Sequence, residues 1–239
     1  MKQIIVTAST LLELSLLLEA IGAVPTPDAG HLRAYRGSFG DVDLLIAVTG
    51  MGKVNAASAT TLLLERFEPK LLVNTGCAGA FAGSGLGIGD LAIASSDSFG
   101  DEGVETPLGW QGLELIGIPV YEGKGARIFN TFPLSPEVAA RAVDVAGRGG
   151  TRSLLGPFVT VSTCSGTACR GDEILRRFPG TICENMEGAA VAQVATAYGV
   201  DLLEVRGISN MVEDRDLSRW DLKGAVAAAQ HFLLRFLRQ

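Results

Sequence analysis

The sequence predicts an α/β fold, with one domain over residues 1–239 and a mixed, mostly parallel central sheet flanked by helices. The first reason is the alternation of short apolar runs with longer helical patterns, which is typical of strands connected by helices. The second is composition: 47% of the residues are hydrophobic and 19% are charged, which favours a large buried core over disorder. No linker or change in composition divides the chain, so one domain is the simplest interpretation.

The first third of the chain shows this alternation clearly. Gln3–Ala8, Val42–Val48 and Leu71–Asn74 are apolar runs that predict buried strands. Thr10–Ile21 carries leucines at helical spacing, and Lys53–Phe67 is amphipathic, so both segments are predicted as helices.

The middle of the chain is less regular. A strand is predicted at Asp90–Ser95, and the Gly-rich and polar stretch 97–132 reads as long loops with short strands, which often cover or form a site. A helix follows, with Ser135 as its cap and Pro136 in its first turn. The remaining predicted elements are strands at Leu154–Thr163, Thr181–Cys183 and Leu202–Ile208 and helices at Asp172–Phe178, Met186–Tyr198 and Asp221–Leu237.

Four polar or Gly-rich segments follow predicted strands and mark the expected site. They are Thr49–Gly52, Thr75–Gly79, Glu184–Glu187 and Ser209–Asn210. Because ligands in such folds bind outside the carboxyl ends of the strands, we expect these segments to meet around one ligand.

Charge and hydropathy exclude several classes of partner. The net charge of −6 and the sequence pI of about 5.0 give no footprint for a nucleic acid. The apolar stretch 11–24 is short and is interrupted by Glu13 and Glu19, so no membrane span is expected. The amino-terminal residues lack the pattern of a signal peptide, and we expect a cytoplasmic protein.

We also expect no metal and no cofactor. None of the four cysteines forms a C-x-x-C pair, so a zinc site or a disulfide framework is not indicated. Gly50-x-Gly52 resembles half of a dinucleotide fingerprint, but Asn55 stands at the third glycine position. Val54 follows Lys53 where a phosphate-binding P-loop requires Ser or Thr.

Candidate catalytic groups fit the cleavage of an N-glycosidic bond. This reaction passes through a positively charged sugar, so it needs a carboxylate near water, a polar group for the departing base and an acceptor for ribose hydroxyls. Glu187 is a candidate for the ribose hydroxyls, with Glu184 nearby, although an acid at a helix start can equally stabilise the helix dipole. Glu13 is a candidate general base, although Thr10-x-x-Glu13 also fits a capping box.

The strand before Asn210 supplies two further candidates. The Asn210 amide offers a donor and an acceptor that suit a 6-oxopurine, but an Asx turn is an equal alternative. Arg206 lies in the same apolar strand, and a buried arginine normally has a carboxylate partner, for which Glu13 or Glu187 is expected.

Four motifs in order resemble the nucleoside phosphorylase and nucleosidase superfamily. They are Thr49-Gly50-Met51-Gly52-Lys53-Val54-Asn55-Ala56-Ala57, Asn74-Thr75-Gly76-Cys77-Ala78-Gly79, Glu184-Asn185-Met186-Glu187-Gly188-Ala189-Ala190 and Arg206-Gly207-Ile208-Ser209-Asn210. The resemblance covers nearly the whole chain, and its nearest branches are the methylthioadenosine/S-adenosylhomocysteine nucleosidases and the futalosine hydrolases. It implies a nucleoside phosphorylase-like fold and a homo-oligomer built on a dimer.

The resemblance also implies roles for individual residues. Glu13 falls at the family's water-activating glutamate, and Arg206 at an arginine near the attacking water. Met186 and Glu187 match the ribose-binding pair, and Trp220 matches an aromatic residue that closes over the base. Cys77, Ala78 and Gly79 match a Ser-Ala-Gly turn beside the sugar and the base.

Departures from the family pattern indicate the nucleophile and the base. Phosphorylases carry a phosphate-binding arginine where Asn74 stands and a Gly-x-Pro loop where Ala8-Ser9-Thr10 stands, so water is the expected nucleophile. Adenine-specific enzymes carry an aspartate where Asn210 stands. The segment Val161–Arg170 also departs from them, so base contacts there cannot be transferred.

The resemblance therefore implies a purine-nucleoside hydrolase, with futalosine cleavage to hypoxanthine in menaquinone biosynthesis as the leading expectation. A methylthioadenosine/S-adenosylhomocysteine nucleosidase is the second reading. A non-catalytic nucleoside-binding or storage protein is the third, because a shared fold does not by itself imply catalysis.

Overall fold

The computed structural model describes residues 2–123 and 125–238. Its strands are β1 (Lys2–Ala8), β2 (Val24–Thr26), β3 (Arg33–Phe39), β4 (Val42–Val48), β5 (Leu71–Phe81), β6 (Leu91–Phe99), β7 (Val104–Thr106), β8 (Gly109–Gln111), β9 (Tyr121–Gly123), β10 (Ala126–Ile128), β11 (Thr131–Pro133), β12 (Ser153–Thr160), β13 (Cys183–Asn185) and β14 (Leu202–Val212). Its α-helices are α1 (Ser15–Ala20), α2 (Lys53–Arg66), α3 (Pro136–Arg148), α4 (Ala168–Arg177), α5 (Gly188–Tyr198) and α6 (Leu222–Phe236).

A ten-stranded mixed sheet organises the chain, and the predicted α/β class is confirmed. The strand order is β11-β6-β12-β13-β5-β1-β4-β3-β2, with β14 paired to both β5 and β6. Parallel pairing joins β1 to β4 and β5, β5 to β14, and β12 to β6 and β13. Antiparallel pairing occurs where β13 meets β5, where β14 meets β6, and at the β2–β3–β4 and β11–β6 edges.

Two layers of apolar side chains cover the faces of the sheet. On one face α2 and α5 pack together over residues such as Leu45, Leu72 and Phe158. On the other face α6, with α1 and α3, covers Val6, Val73 and Val205. Helices on both faces leave the carboxyl ends of the parallel strands open for a ligand.

Several predicted boundaries are wrong, and the largest differences concern the site. The helix predicted at Thr10–Ile21 is the short α1, because residues 11–14 form a turn. The strands predicted to end at Asn74 and Ile208 continue to Phe81 and Val212, because β5 and β14 pair with each other along this extra length.

Smaller shifts affect the elements on either side of Glu187. The strand predicted at Thr181–Cys183 is β13 at Cys183–Asn185, and the helix predicted from Met186 begins at Gly188. The predicted loop region 97–132 contains the end of β6 and the short strands β7 to β11. Ser135 is the N-cap of α3 and Pro136 lies in its first turn, as predicted.

Candidate active site

A cavity of about 290 Å³ opens at the carboxyl ends of the central strands. Each of the four segments expected there contributes to its lining. Of the predicted site residues, the structure brings nine to its wall: Glu13, Cys77, Ala78, Gly79, Glu184, Met186, Glu187, Asn210 and Trp220. Arg206 lies behind this wall and is 1% exposed.

Glu13 is held by hydrogen bonds from two segments. Its Oε2 accepts from the backbone N–H and the hydroxyl of Thr10, both at 2.8 Å, and its Oε1 accepts from the Cys77 N–H at 3.2 Å. The bond from the Thr10 N–H is the one that a capping box predicts, but α1 begins only at Ser15 with Leu14 as its N-cap, so this bond closes a turn ahead of the helix. The bonds fix a buried carboxylate at the cavity wall.

Gly76 allows this carboxylate to lie against the sheet. Its φ is +155°, and a Cβ there would lie 2.5 Å from Glu13 Oε1 and 2.9 Å from Arg206 Nη1. A side chain at this position would therefore displace both charged groups, which explains why glycine precedes Cys77. Burial, followed by the charge of Glu13, raises the pKa of the Cys77 thiol to about 11.

Glu187 joins the loop after β4 to the start of α5. Its Oε1 accepts from the Gly52 N–H at 2.9 Å, and its Oε2 lies 3.4 Å from Arg206 Nη1. The residue is the N-cap of α5, but its side chain makes no capping bond. Asn185 Oδ1 instead accepts from the Glu187 and Gly188 N–H groups at the start of α5.

Arg206 has a partner that the sequence analysis missed. Its Nε and Nη2 donate to Glu204 Oε1 at 3.0 and 2.9 Å, whereas Glu187 is farther away at 3.4 Å. Glu13 makes no hydrogen bond to it among the described contacts. The expectation of Glu187 as partner is thus correct only for a secondary contact, and Glu204 is the principal one.

The carboxylates around Arg206 keep its guanidinium group protonated. Burial acts to lower its pKa, but the carboxylates of Glu204, Glu187 and Glu13 outweigh burial and raise it. Nη2 also donates to Asn74 Oδ1 at 2.5 Å. Arg206 therefore stays a fixed cation behind Glu13 and Glu187.

A buried pair of acids continues the network away from the cavity. Asp97 accepts from Thr160 Oγ1 and from Asn185 Nδ2, and its carboxyl group meets that of Glu204 under Gly188. Burial and then the charge of Glu204 raise the pKa of Asp97 well above its usual range. Burial also raises the pKa of Glu204, against the effect of Arg206, so the pair holds a shared proton.

Glu184 and Ser165 form a second polar group in the cavity wall. The N–H of Ser165 donates to Glu184 Oε1 at 2.9 Å, and its hydroxyl donates to Oε2 at 2.6 Å. Burial raises the pKa of Glu184, although these bonds oppose the change. The carboxylate is fixed, and each of its oxygens keeps capacity for another donor.

Asn210 lies inside β14, next to a bulge between Ile208 and Asn210. Its Nδ2 donates to the carbonyl of Met211 at 3.1 Å, and its Oδ1 accepts from Ser209 Oγ at 2.8 Å. The Asx-turn interpretation is wrong because the residue belongs to a paired strand. The turn expected at Cys77–Gly79 is likewise part of strand β5.

The structure adds cavity residues that sequence reasoning missed. Cys164 and Ser165 come from the segment where base contacts could not be transferred, and Arg215 lies 4.6 Å over the Trp220 ring. None of the described residues between 97 and 132 lines the cavity. Within one chain, the segment that was expected to cover or form a site therefore does not contribute to the cavity wall. The sequence did contain a signal for the pairing of Glu204 with Arg206, because residues two apart in a strand lie on the same face of the sheet.

The described part of the chain shows neither a metal-binding cluster nor a membrane-spanning helix. Residues 2–123 and 125–238 contain no group of three or more His, Cys, Asp or Glu side chains placed to hold a metal ion. Within the same residues, no helix combines the length and apolar character needed to cross a membrane.

The fold and the site together define an α/β protein with an acid-lined cavity at the strand ends. Comparison with known families identifies it further: the chain belongs to the phosphorylase superfamily, which it matches over residues 2–238.

Relatives of this chain include members of two groups. The chain is 34% identical over 187 residues to a futalosine hydrolase of Acidothermus cellulolyticus, covering 78% of this chain and 72% of the relative. It is 29% identical over 202 residues to a 5'-methylthioadenosine/S-adenosylhomocysteine nucleosidase of Desulfotalea psychrophila, covering 84% of this chain and 81% of the relative.

A solved structure supports the fold. The S-adenosylhomocysteine nucleosidase of Streptococcus pyogenes, in complex with 5-methylthiotubericidin, superposes with a TM-score of 0.84 at 27% identity. The similarity covers 99% of this chain and 96% of that one. The expectation of a nucleoside phosphorylase-like fold is therefore confirmed.

Proposed function

We propose that this chain hydrolyses the N-glycosidic bond of futalosine to release hypoxanthine, in menaquinone biosynthesis. The coarser activity, hydrolysis of a purine nucleoside by an N-glycosyl hydrolase, is the one that both groups of relatives support. The observation that carries the proposal is the placement of Glu13 and Glu187 in the wall of one cavity, with Arg206 behind both.

Glu187 is proposed to hold the ribose. The Gly52 N–H fixes one of its oxygens and Arg206 lies near the other, so the carboxylate has one orientation at the cavity wall. An ionised carboxylate accepts about four hydrogen bonds, which leaves positions for two neighbouring ribose hydroxyls. Met186 lines the same wall and supplies an apolar surface beside the sugar.

Glu13 is proposed to activate the attacking water. It takes a proton from water as the oxygen bonds to the sugar carbon C1′, and the bond from C1′ to the base breaks with its electron pair on the base. Carboxylates at Glu13 and Glu187 also stabilise the positive charge that develops on the sugar. The departing base accepts a hydrogen bond from Asn210 and gains its proton from solvent.

Water is a better nucleophile for this site than phosphate. Asn74, at the position of the phosphorylase arginine, is 1% exposed, and its amide is engaged with Arg206 and Thr7. It is neutral and buried, so it offers no positive charge to a phosphate ion. Arg206 is committed to Glu204, so it does not replace the missing cation.

A methylthioadenosine/S-adenosylhomocysteine nucleosidase is the second candidate, favoured by the relative from Desulfotalea psychrophila. The choice of futalosine depends on Asn210, because an amide suits a 6-oxopurine, and on the relative from Acidothermus cellulolyticus.

One assay separates these candidates. Purified protein is incubated with futalosine, methylthioadenosine and inosine, with and without phosphate, and free base and sugar phosphate are measured. We expect hypoxanthine from futalosine without phosphate. Adenine from methylthioadenosine as the main product would overturn the choice of substrate, and no release from any nucleoside would favour a binding protein.

The single domain, the cytoplasmic location and the dimer-based homo-oligomer stay predictions. Two apolar side chains are strongly exposed, Met51 of the cavity lining at 64% and Val54 of α2 at 83%, and a subunit contact would cover them. Sedimentation analysis tests the oligomer, and a monomer at micromolar concentration would contradict it.

A further inference from the structure

Three residues form a row across neighbouring strands in the cavity wall. Gly79 of β5 pairs with Glu184 of β13 on one side and with Asn210 of β14 on the other. Residues directly opposite each other in a sheet direct their side chains to the same face. The side chains of Glu184 and Asn210 therefore flank a position that has no side chain.

The gap over Gly79 has the dimensions of a slot. Adjacent strands are about 4.8 Å apart, so the Glu184 and Asn210 backbones lie about 10 Å from each other. A Cβ on Gly79 would meet Asn210 Nδ2 at 3.0 Å and Val212 Cγ2 at 3.2 Å, which shows that Asn210 turns its amide nitrogen toward the gap. Trp220 lines the same cavity and supplies an aromatic ring for stacking against a planar group.

The two sides of the slot have opposite hydrogen-bonding character. Asn210 presents a donor, because the Met211 carbonyl only accepts and must face Nδ2, which retains a second N–H. Glu184 presents an acceptor, because both donors of Ser165 already point at its carboxylate and fix it. In a largely apolar pocket, a small number of polar groups with fixed orientation determines which ligand binds.

We propose that Glu184 and Asn210 select a 6-oxopurine base by its N1–H donor and its O6 and N7 acceptors. Glu184 accepts from N1–H, and Asn210 Nδ2 donates to the O6/N7 edge. A 6-aminopurine presents the reverse pattern, with an unprotonated N1 at the carboxylate and an amino group at the amide donor. This assignment rests on the proposed nucleosidase function and makes Glu184 a specificity-determining residue.

The first test changes Glu184 to glutamine and compares futalosine with its counterpart carrying an amino group at C6. In Glu184→Gln the Ser165 hydroxyl can accept from the new amide, which turns a donor toward N1. We expect kcat/KM to fall about 10- to 100-fold on the 6-oxo substrate, the loss typical of a hydrogen bond to a charged group, and to rise on the 6-amino substrate. An unchanged ratio of the two kcat/KM values in a folded variant would overturn the proposal.

Two further variants separate selectivity from general damage. Gly79→Ala fills the slot and should weaken both substrates without changing their ratio. Glu173→Gln alters an exposed surface ion pair with Arg170 and should leave both values unchanged. A thermal melt of each variant shows whether it is folded.

Binding of free bases keeps the assignment testable if the hydrolysis assay fails. Calorimetry with hypoxanthine and adenine measures the slot alone, without any cleavage. One outcome is that no nucleoside is cleaved, but hypoxanthine binds more tightly than adenine and Glu184→Gln reverses this order. That outcome supports the assignment of Glu184 and Asn210 to base selection and contradicts the proposed function. If nucleosides are cleaved but adenine binds more tightly to the parent protein, the function stands and the slot assignment is wrong.

Discussion

Replacing Glu13 by glutamine tests the proposed chemistry with the smallest change in shape. The carboxylate accepts three hydrogen bonds, two from Thr10 on Oε2 and one from the Cys77 N–H on Oε1. If the glutamine oxygen keeps both bonds to Thr10, its NH₂ group faces the Cys77 N–H, and that bond is lost. One buried donor left unsatisfied costs about 1–3 kcal/mol of unfolding free energy.

The expected effect on catalysis is larger than this effect on stability. A glutamine cannot take a proton from water, and a positioned general base contributes about 100- to 10,000-fold. At about 1.36 kcal/mol per factor of ten, this corresponds to about 2.7–5.5 kcal/mol of transition-state stabilisation. Because native domains have about 5–15 kcal/mol of stability, Glu13→Gln should stay folded while kcat falls by at least about 100-fold.

The assay measures base release at saturating nucleoside alongside a urea denaturation curve. Glu19→Gln on the exposed side of α1 is the matched control, and it should retain the parent kcat. A folded Glu13→Gln enzyme with a kcat within about threefold of the parent would refute the role of Glu13 as general base.

Three further predictions concern the ionisable groups around the cavity. Arg206→Gln leaves Glu204 without its cation, so urea denaturation should show a loss of about 3–5 kcal/mol, and an unchanged midpoint would contradict the network. Asp97 stays protonated in the folded protein, whereas in the unfolded chain it releases its proton above about pH 4. The free energy of unfolding should therefore fall as the pH rises from about 4 to the raised pKa of Asp97. Asp97→Asn should remove this slope, at most about 1.4 kcal/mol per pH unit, and an equal slope in both proteins would show that Asp97 is ionised. Because its pKa is about 11, Cys77 should resist iodoacetamide at pH 8 while exposed Cys169 is labelled, and equal labelling by mass spectrometry would contradict the raised pKa.

The sequence predicted the parallel strands well because their signal is local. Val42–Val48 is an apolar run in sequence and is β4 at the same residues in the structure. Such a run is buried on both faces, so composition alone marks it. The ends of β5 and β14 could not be predicted this way, because Gly, Cys, Ser and Asn residues there join the sheet only through pairing with each other.

The site shows the same division between local and long-range information. Glu13 and Glu187 were found from their positions after strands, and the structure places both at the cavity. The partner of Arg206 was misjudged because Glu204 lies in the same apolar run and was read as part of a buried strand. Asp97 was placed at the start of a loop region, although a fully buried acid beside Glu204 is visible only in three dimensions.

The three residues of β13 place three different functions side by side. Cys183 belongs to the hydrophobic core, Glu184 faces the cavity, and Asn185 bonds to the start of α5 and to Arg206. Because alternate residues of a strand face opposite sides, deleting or inserting one residue would send the acid into the core and the amide into the ligand. A substitution at one position of β13 therefore changes one contact, whereas a one-residue shift in register would exchange the buried and cavity-facing positions of every residue up to Glu187.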